Sequence, residues 1–160
     1  MEACRRHRMY QRILVAVDGS ASANLALQEA LKCAQKGQAQ LRLAHVIDVT
    51  SSGEGQAVPE TVQLATRQKG QEILEAATRQ APQIGIEVET VLLESHGHQF
   101  SRAIIEEATR WPAELIVMGT HGRTGLVRLV LGSVAEGVVH LASVPVLLIR
   151  SQERAHGETR

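Results

Sequence analysis

Leu115, Ile116, Val117 and Met118 follow one another without a polar residue and end at Gly119, and this unbroken apolar run constrains the fold more than any other stretch. A half-exposed strand alternates apolar with polar residues, whereas a continuous run suits a strand covered on both faces, as parallel sheets require. Ile13 to Val17 is a second such run, and Val144 to Ile149 a third, with Pro145 near its start. Leu41 to Ile47, of mixed alternation, and Glu87 to Leu93 complete five predicted strands. Helical spacing fills the gaps between them. Ala23, Leu27, Ala30, Leu31 and Ala34 share one helical face, with Gly37 as a stop. Val62, Ala65, Ile73, Leu74 and Ala77 place a largely exposed helix over Glu60 to Gln80, ending before Pro82. Phe100, Ile104, Ala108 and Trp111 form the apolar face of a helix from Gln99 to Arg110, closed by Pro112. Val134, Val138 and Leu141 give the stripe of a last helix, Ser133 to Ala142. Strands alternating with helices predict an α/β fold: a doubly wound, five-stranded parallel sheet with helices on both faces and right-handed crossovers.

A chain of 160 residues suits one domain built on a single sheet. Seventeen basic residues balance seventeen acidic ones, so no overall basic field draws in nucleic acid, and no nucleic-acid partner is expected. Cys4 and Cys33 form no C-x-x-C and are too few for a disulfide framework, which fits a reducing compartment and a cytoplasmic location. No stretch has the length of a membrane span, and the first residues lack the apolar centre of a secretory signal. Residues 1–8, with Arg5, Arg6, His7 and Arg8, read as a basic extension expected to be solvated and disordered, and residues 151–160 as a polar tail.

The chemistry concentrates after the run at Leu115. Gly119, Gly122 and Gly125 allow positive φ and close approach of a ligand, and Gly132-Ser133 sits where a helix should begin. A helix N-terminus carries unpaired N–H donors and the positive end of the helix dipole, so a phosphate is its natural occupant. The Ser133 hydroxyl and the Arg123 guanidinium add donors. Asp18, at the end of the first strand in Asp18-Gly19-Ser20, is either a second ligand group or a cap for the helix that follows.

The spacing Gly119-x-x-Gly122, nine residues, Gly132-Ser133, with His121, Arg123-Thr124-Gly125 and Val134 in place, resembles the nucleotide-binding signature of the universal stress protein family, in its ATP-binding branch. The resemblance begins at about Met9 and implies a domain over 9–150 with strand order 3-2-1-4-5. Strands 1 and 4 are then neighbours where the winding reverses, which is where ligands bind in open α/β sheets. It further implies that Asp18 and the backbone of Val46 meet the nucleoside. Gly119, Gly122, Gly132, Ser133 and Val134 then line the phosphates, with Met118 and Arg123 beside them. The implied ligand is ATP, with magnesium carried on its phosphates. A homodimer through Val144 to Ile149 is implied as well.

One departure stands out: where the family commonly has Gly-x-Pro after strand 3, this chain has Gly97-His98-Gln99, which leaves the rigidity of that loop open. His96 and His98, at i and i+2, have a spacing that can ligate zinc or copper. No cysteine lies near them and no supporting carboxylate is legible, so no metal site is expected. The Walker pattern Gly-x-x-x-x-Gly-Lys is absent, and no acidic base beyond Asp18 is evident, so any ATP hydrolysis should be slow. The reading is a nucleotide-binding stress regulator or sensor; the alternatives are a slow ATPase and an interaction protein that binds no nucleotide.

Overall fold

The computed structural model describes residues 10–50, 57–81, 85–121 and 131–151. Among these the order is β1 (Arg12–Ala16), α1 (Ala21–Gly37), β2 (Gln40–Asp48), α2 (Glu60–Arg79), β3 (Val88–Ser95), α3 (Phe100–Arg110), β4 (Leu115–Gly119), α4 (Ser133–Leu141) and β5 (Val146–Ile149). All strand pairs are parallel, in the order β3-β2-β1-β4-β5. The expected doubly wound sheet is therefore the observed one.

Alternate residues of each central strand feed two cores. Ile13, Val15, Leu41, Leu43, Leu115 and Val117 face α1 and α2, meeting Leu27, Leu31 and Leu74. Leu14, Ala44, Ile116 and Met118 face α3 and α4, meeting Ile104, Ala108, Ala135 and Val138. A strand buried on both sides has no polar face, which is why β1 and β4 read as continuous apolar runs.

Several boundaries differ from the sequence reading, each for a local reason. Gly37 is the last residue of α1 rather than its stop; the left-handed position falls on Gln38, at φ 52°, whose N–H bonds to the Ala34 carbonyl. β5 begins at Val146, although the Pro145 carbonyl still accepts from Ile116 N at 3.0 Å. Proline lacks the N–H needed to extend the pairing in both directions. In α4 the buried positions are Ala135 and Val138, while Leu141, expected on the stripe, is 52% exposed. The helix ends there, so its last residue projects past the sheet.

At the edge of the sheet where β2 begins, Arg42 joins three elements. Its Nη1 lies 2.6 Å from Oε1 of the buried Glu107 on α3, it pairs with Glu89 on β3, and its guanidinium stacks 4.8 Å from the Trp111 ring. Burial alone would make the Arg42 cation less favourable, but hydrogen bonds and charge from Glu89 and Glu107 hold its pKa above the ordinary value. This cluster serves the packing of α3 and lies at the opposite edge from the cavity described next.

Candidate functional site

A cavity of about 570 Å³ opens at the C-terminal edge of the sheet, where β1 and β4 lie side by side. This is the switch point of the winding, and the volume is that of a small-molecule site. Its walls come from both helical layers.

On the β1 side the chain turns through Gly19, at φ 79°, a left-handed position that glycine accepts without strain. Ser20 is the N-cap of α1, its hydroxyl accepting from Ala23 N at 3.2 Å. Asp18 does not cap the helix. Its Oδ1 accepts from Ser20 N at 2.9 Å, bracing the turn, and the residue lines the cavity.

On the β4 side, Met118, Gly119, Thr120 and His121 form the adjoining wall. Gly119, expected to allow positive φ and the close approach of a ligand, lines the cavity and has a packing role besides. It is not among the described residues of positive φ, and a Cβ built on it would lie 2.8 Å from the Ser22 carbonyl carbon. The first turn of α1 occupies the space a side chain would need. The Ser22 hydroxyl donates to the His121 carbonyl and ties α1 to the same loop. The His121 ring places Nδ1 2.9 Å from the Thr120 hydroxyl, while its Nε2 is buried with no partner among the described residues.

The start of α4 closes the third side. Gly132 is the N-cap, extended at φ −62° and ψ 149°, and its N–H donates to the Thr120 carbonyl at 2.8 Å. A Cβ there would sit 3.0 Å from that carbonyl oxygen. The N-cap glycine offers no side chain, so among the described residues the amides of the first turn are left for solvent or a ligand, and Gly132, Ser133, Val134 and Ala135 all line the cavity. Val46, from β2, completes the set.

Seven of the expected site residues thus share one cavity: Asp18, Val46, Met118, Gly119, Gly132, Ser133 and Val134. Gly122, Arg123 and Gly125 lie outside the described residues. The sequence reading missed the wall supplied by His45 and by α2. His45 is buried, and its Nδ1 is 2.7 Å from the Val17 carbonyl. A carbonyl only accepts, so Nδ1 carries the proton and ties the end of β1 to β2. Thr66, Lys69, Gly70 and Ile73 line the cavity from α2, and Phe100 and Ile104 from α3. Gly70 was the available signal, since a glycine inside a helix costs about 1 kcal/mol against alanine unless something needs its smallness. A Cβ there would lie 2.6 Å from Leu92 Cδ1 and 3.1 Å from Ile47 Cγ2, so glycine lets α2 settle onto β2 and β3.

Beside the cavity, the loop whose rigidity was open is held by Asp48. Its Oδ1 accepts from Thr50 N and Thr50 Oγ1, each at 2.8 Å. Its Oδ2 accepts from His98 N at 3.0 Å and lies 3.0 Å from His98 Nδ1. Thr50 Oγ1 in turn accepts from Gly97 N at 2.8 Å. Burial would raise the Asp48 carboxyl, but the hydrogen bonds from Thr50 and His98 and the charge of His98 outweigh it, and its pKa is lowered. The proline of Gly-x-Pro would fall at Gln99, whose φ of −83° lies close to the range proline is held to, while His98, at φ 59°, takes the middle position. Among the described residues no group of three or more His, Cys, Asp or Glu could hold a metal ion, and no helix is long and apolar enough to cross a membrane.

Comparison with known proteins agrees with this geometry. The model of the universal stress protein family matches residues 9–150. A universal stress protein of Methanocaldococcus jannaschii, MJ0531, is 32% identical over 152 residues, covering 91% of this chain and 85% of that one. A solved structure from the same family, from Burkholderia pseudomallei, has a TM-score of 0.71 at 32% identity and covers 89% of this chain and 98% of its own. The universal stress protein of Archaeoglobus fulgidus, solved in complex with dAMP, has a TM-score of 0.64 at 27% identity, covering 88% of this chain and 98% of its own. A family model spanning nearly all of the folded chain, a relative alike over nine-tenths of it and the shared parallel sheet lead to one conclusion: this chain belongs to the universal stress protein family.

Proposed function

We propose that the chain is an adenine-nucleotide-binding member of this family, taking ATP as a cytoplasmic stress-response regulator or sensor. One observation carries the reading: a carboxylate, Asp18, and the uncapped N-terminus of α4 line the same cavity. A nucleotide has a part for each. Its ribose or base offers donors to a carboxylate, and its phosphates suit free amides at the positive end of a helix. In this reading Asp18 and the Val46 backbone meet the nucleoside, and Gly119, Gly132, Ser133 and Val134 meet the phosphates. Gly122 lines the phosphates with them, Met118 and Arg123 act beside them, and Mg²⁺ rides on the phosphate oxygens. The dAMP complex of the Archaeoglobus fulgidus relative supports the class of ligand. Holding rather than hydrolysing is favoured, because the chain carries no Walker lysine to cradle a leaving phosphate.

Thermal unfolding with ATP, ADP, AMP and dAMP, with and without magnesium, tests the reading. A ligand at ~100 times its Kd adds ~2.7 kcal/mol to stability, a rise of several degrees. Asp18→Ala should reduce that rise, and Gly132→Val, which drives a side chain against the Thr120 carbonyl, should remove it. A folded wild type whose melting temperature ignores all four nucleotides would leave the interaction-protein reading in its place.

A further inference from the structure

The chain leaves β2 at Asp48 and β3 at Ser95, and the two exits are tied to each other. The Asp48 side chain is only 8% exposed, and its carboxylate gathers the Thr50 hydroxyl and amide and the His98 amide and ring. This clasp lies next to the cavity on both strands of chain. Ile47, directly before Asp48, and Phe100, two residues after His98, both line it. The His98 and Phe100 rings stand 5.9 Å apart.

The turn it holds does not support itself. Gly97 and His98 are consecutive left-handed residues, at φ 66° and 59°, and the second is disfavoured for a side chain with a Cβ. α3 follows with no side-chain cap at Gln99. The start of α3 thus takes its position from outside, through the Asp48 carboxylate.

We propose that the clasp of Asp48, Thr50, Gly97 and His98 is a positioning element of the ligand cavity, fixing where α3 begins and so where Phe100 stands in its wall. The proposal rests on the nucleotide-binding reading. It assigns Asp48 and Thr50, which do not line the cavity, to ligand affinity, and it gives the missing Gly-x-Pro proline a replacement built from hydrogen bonds.

Calorimetric titration with AMP, together with hydrogen exchange of the amides of residues 97–103, tests it. Asp48→Ala removes every bond of the clasp to the carboxylate. Thr50→Val, at an exposed position, removes one hydroxyl that both donates to Asp48 and accepts from Gly97. Both should speed exchange at 97–103, and Asp48→Ala should weaken AMP about tenfold, the scale of one lost hydrogen-bonded contact. Asp48→Asn, which keeps an acceptor oxygen, should recover most of that affinity. A role confined to stability would lower the melting temperature and leave the affinity of the folded protein unchanged. Faster exchange in Asp48→Ala with wild-type AMP affinity therefore overturns the proposal, and if that variant does not fold, Thr50→Val decides the matter by the same criterion. A wild type that binds none of ATP, ADP, AMP and dAMP removes the nucleotide reading and this proposal together, whereas a binding wild type with unaffected variants removes this proposal alone.

Discussion

Asp48 shows how far a single side chain can depart from what its neighbours in sequence suggest. The predicted strand stops at Ile47, yet Asp48 is the last residue of β2 and its carboxyl titrates below its ordinary value of 3.8. A carboxyl lowered in the folded state contributes stability that is fully present above the unfolded value and is lost as pH falls through the folded one. The melting-temperature difference between wild type and Asp48→Asn should therefore be constant above about pH 5 and shrink below it. A difference that grows on acidification would contradict this assignment. Glu94, lowered by its hydrogen bond from Arg67, has the same sign, but both partners are more than a third exposed and the pair should matter little. Residue identities were legible where chemistry is local. Asp18 stands at the end of an apolar run, and it lines the cavity. His45 was not legible, because its partner is a backbone carbonyl 28 residues away. Gly119 was legible as a site glycine but not as a packing one: a side chain there would meet Ser22, a contact no spacing rule reveals.

Elements were legible in kind and less so at their ends. Apolar periodicity identified every strand and helix among the described residues, because each central strand is covered twice and each helix once. It did not identify the contacts that fix one helix against another. α3 and α4 meet where a Cβ on Gly137 would lie 2.7 Å from Ser101 Cβ, so Gly137→Ala should push them apart. Overpacking of this kind costs ~1 to 3 kcal/mol, more than the gain in helix propensity. Urea unfolding should show a lower midpoint, and a stabilised variant would mean that the helices can separate freely. Likewise, Arg42→Met should be destabilising by ~1 to 3 kcal/mol in the same assay, since it leaves the buried Glu107 carboxylate with only the exposed Arg110, 3.1 Å from its Oε2. Neither partner of that pair carries a sequence signal beyond being charged.

At the scale of the molecule, the two edges of the sheet are unlike. β3 carries Glu89 and Glu94, charges that discourage pairing with another strand, whereas β5 reads Val146, Leu147, Leu148, Ile149 and has none. All four residues of β5 are half-buried, and Val139 and Leu141 of α4 are exposed nearby in sequence. Antiparallel pairing of β5 with a second copy is self-complementary, as a two-fold interface must be, and is the expected assembly. Light scattering should give a dimer for the wild type and a shift toward monomer for Val146→Lys and Leu148→Lys, with circular dichroism confirming that each variant is folded. A monomeric wild type at micromolar concentration would refute it. The strand order itself was legible only through family resemblance, since apolar runs specify parallel strands without specifying neighbours. The cavity was legible on its glycine-rich side and not on the side of α2, whose lining residues are ordinary helix residues until β2 is placed beneath them. That two-sided lining has a mechanical consequence. His45, Gly70 and Ile73 belong to the layer of α1 and α2, while Ile104 and Ala135 belong to that of α3 and α4. An occupant touching both would act as a rivet through the edge of the sheet, since neither layer could open without releasing it. Ligand-induced protection from hydrogen exchange should then appear in α2 as well as α4, whereas an occupant resting on α4 alone would quiet only one side.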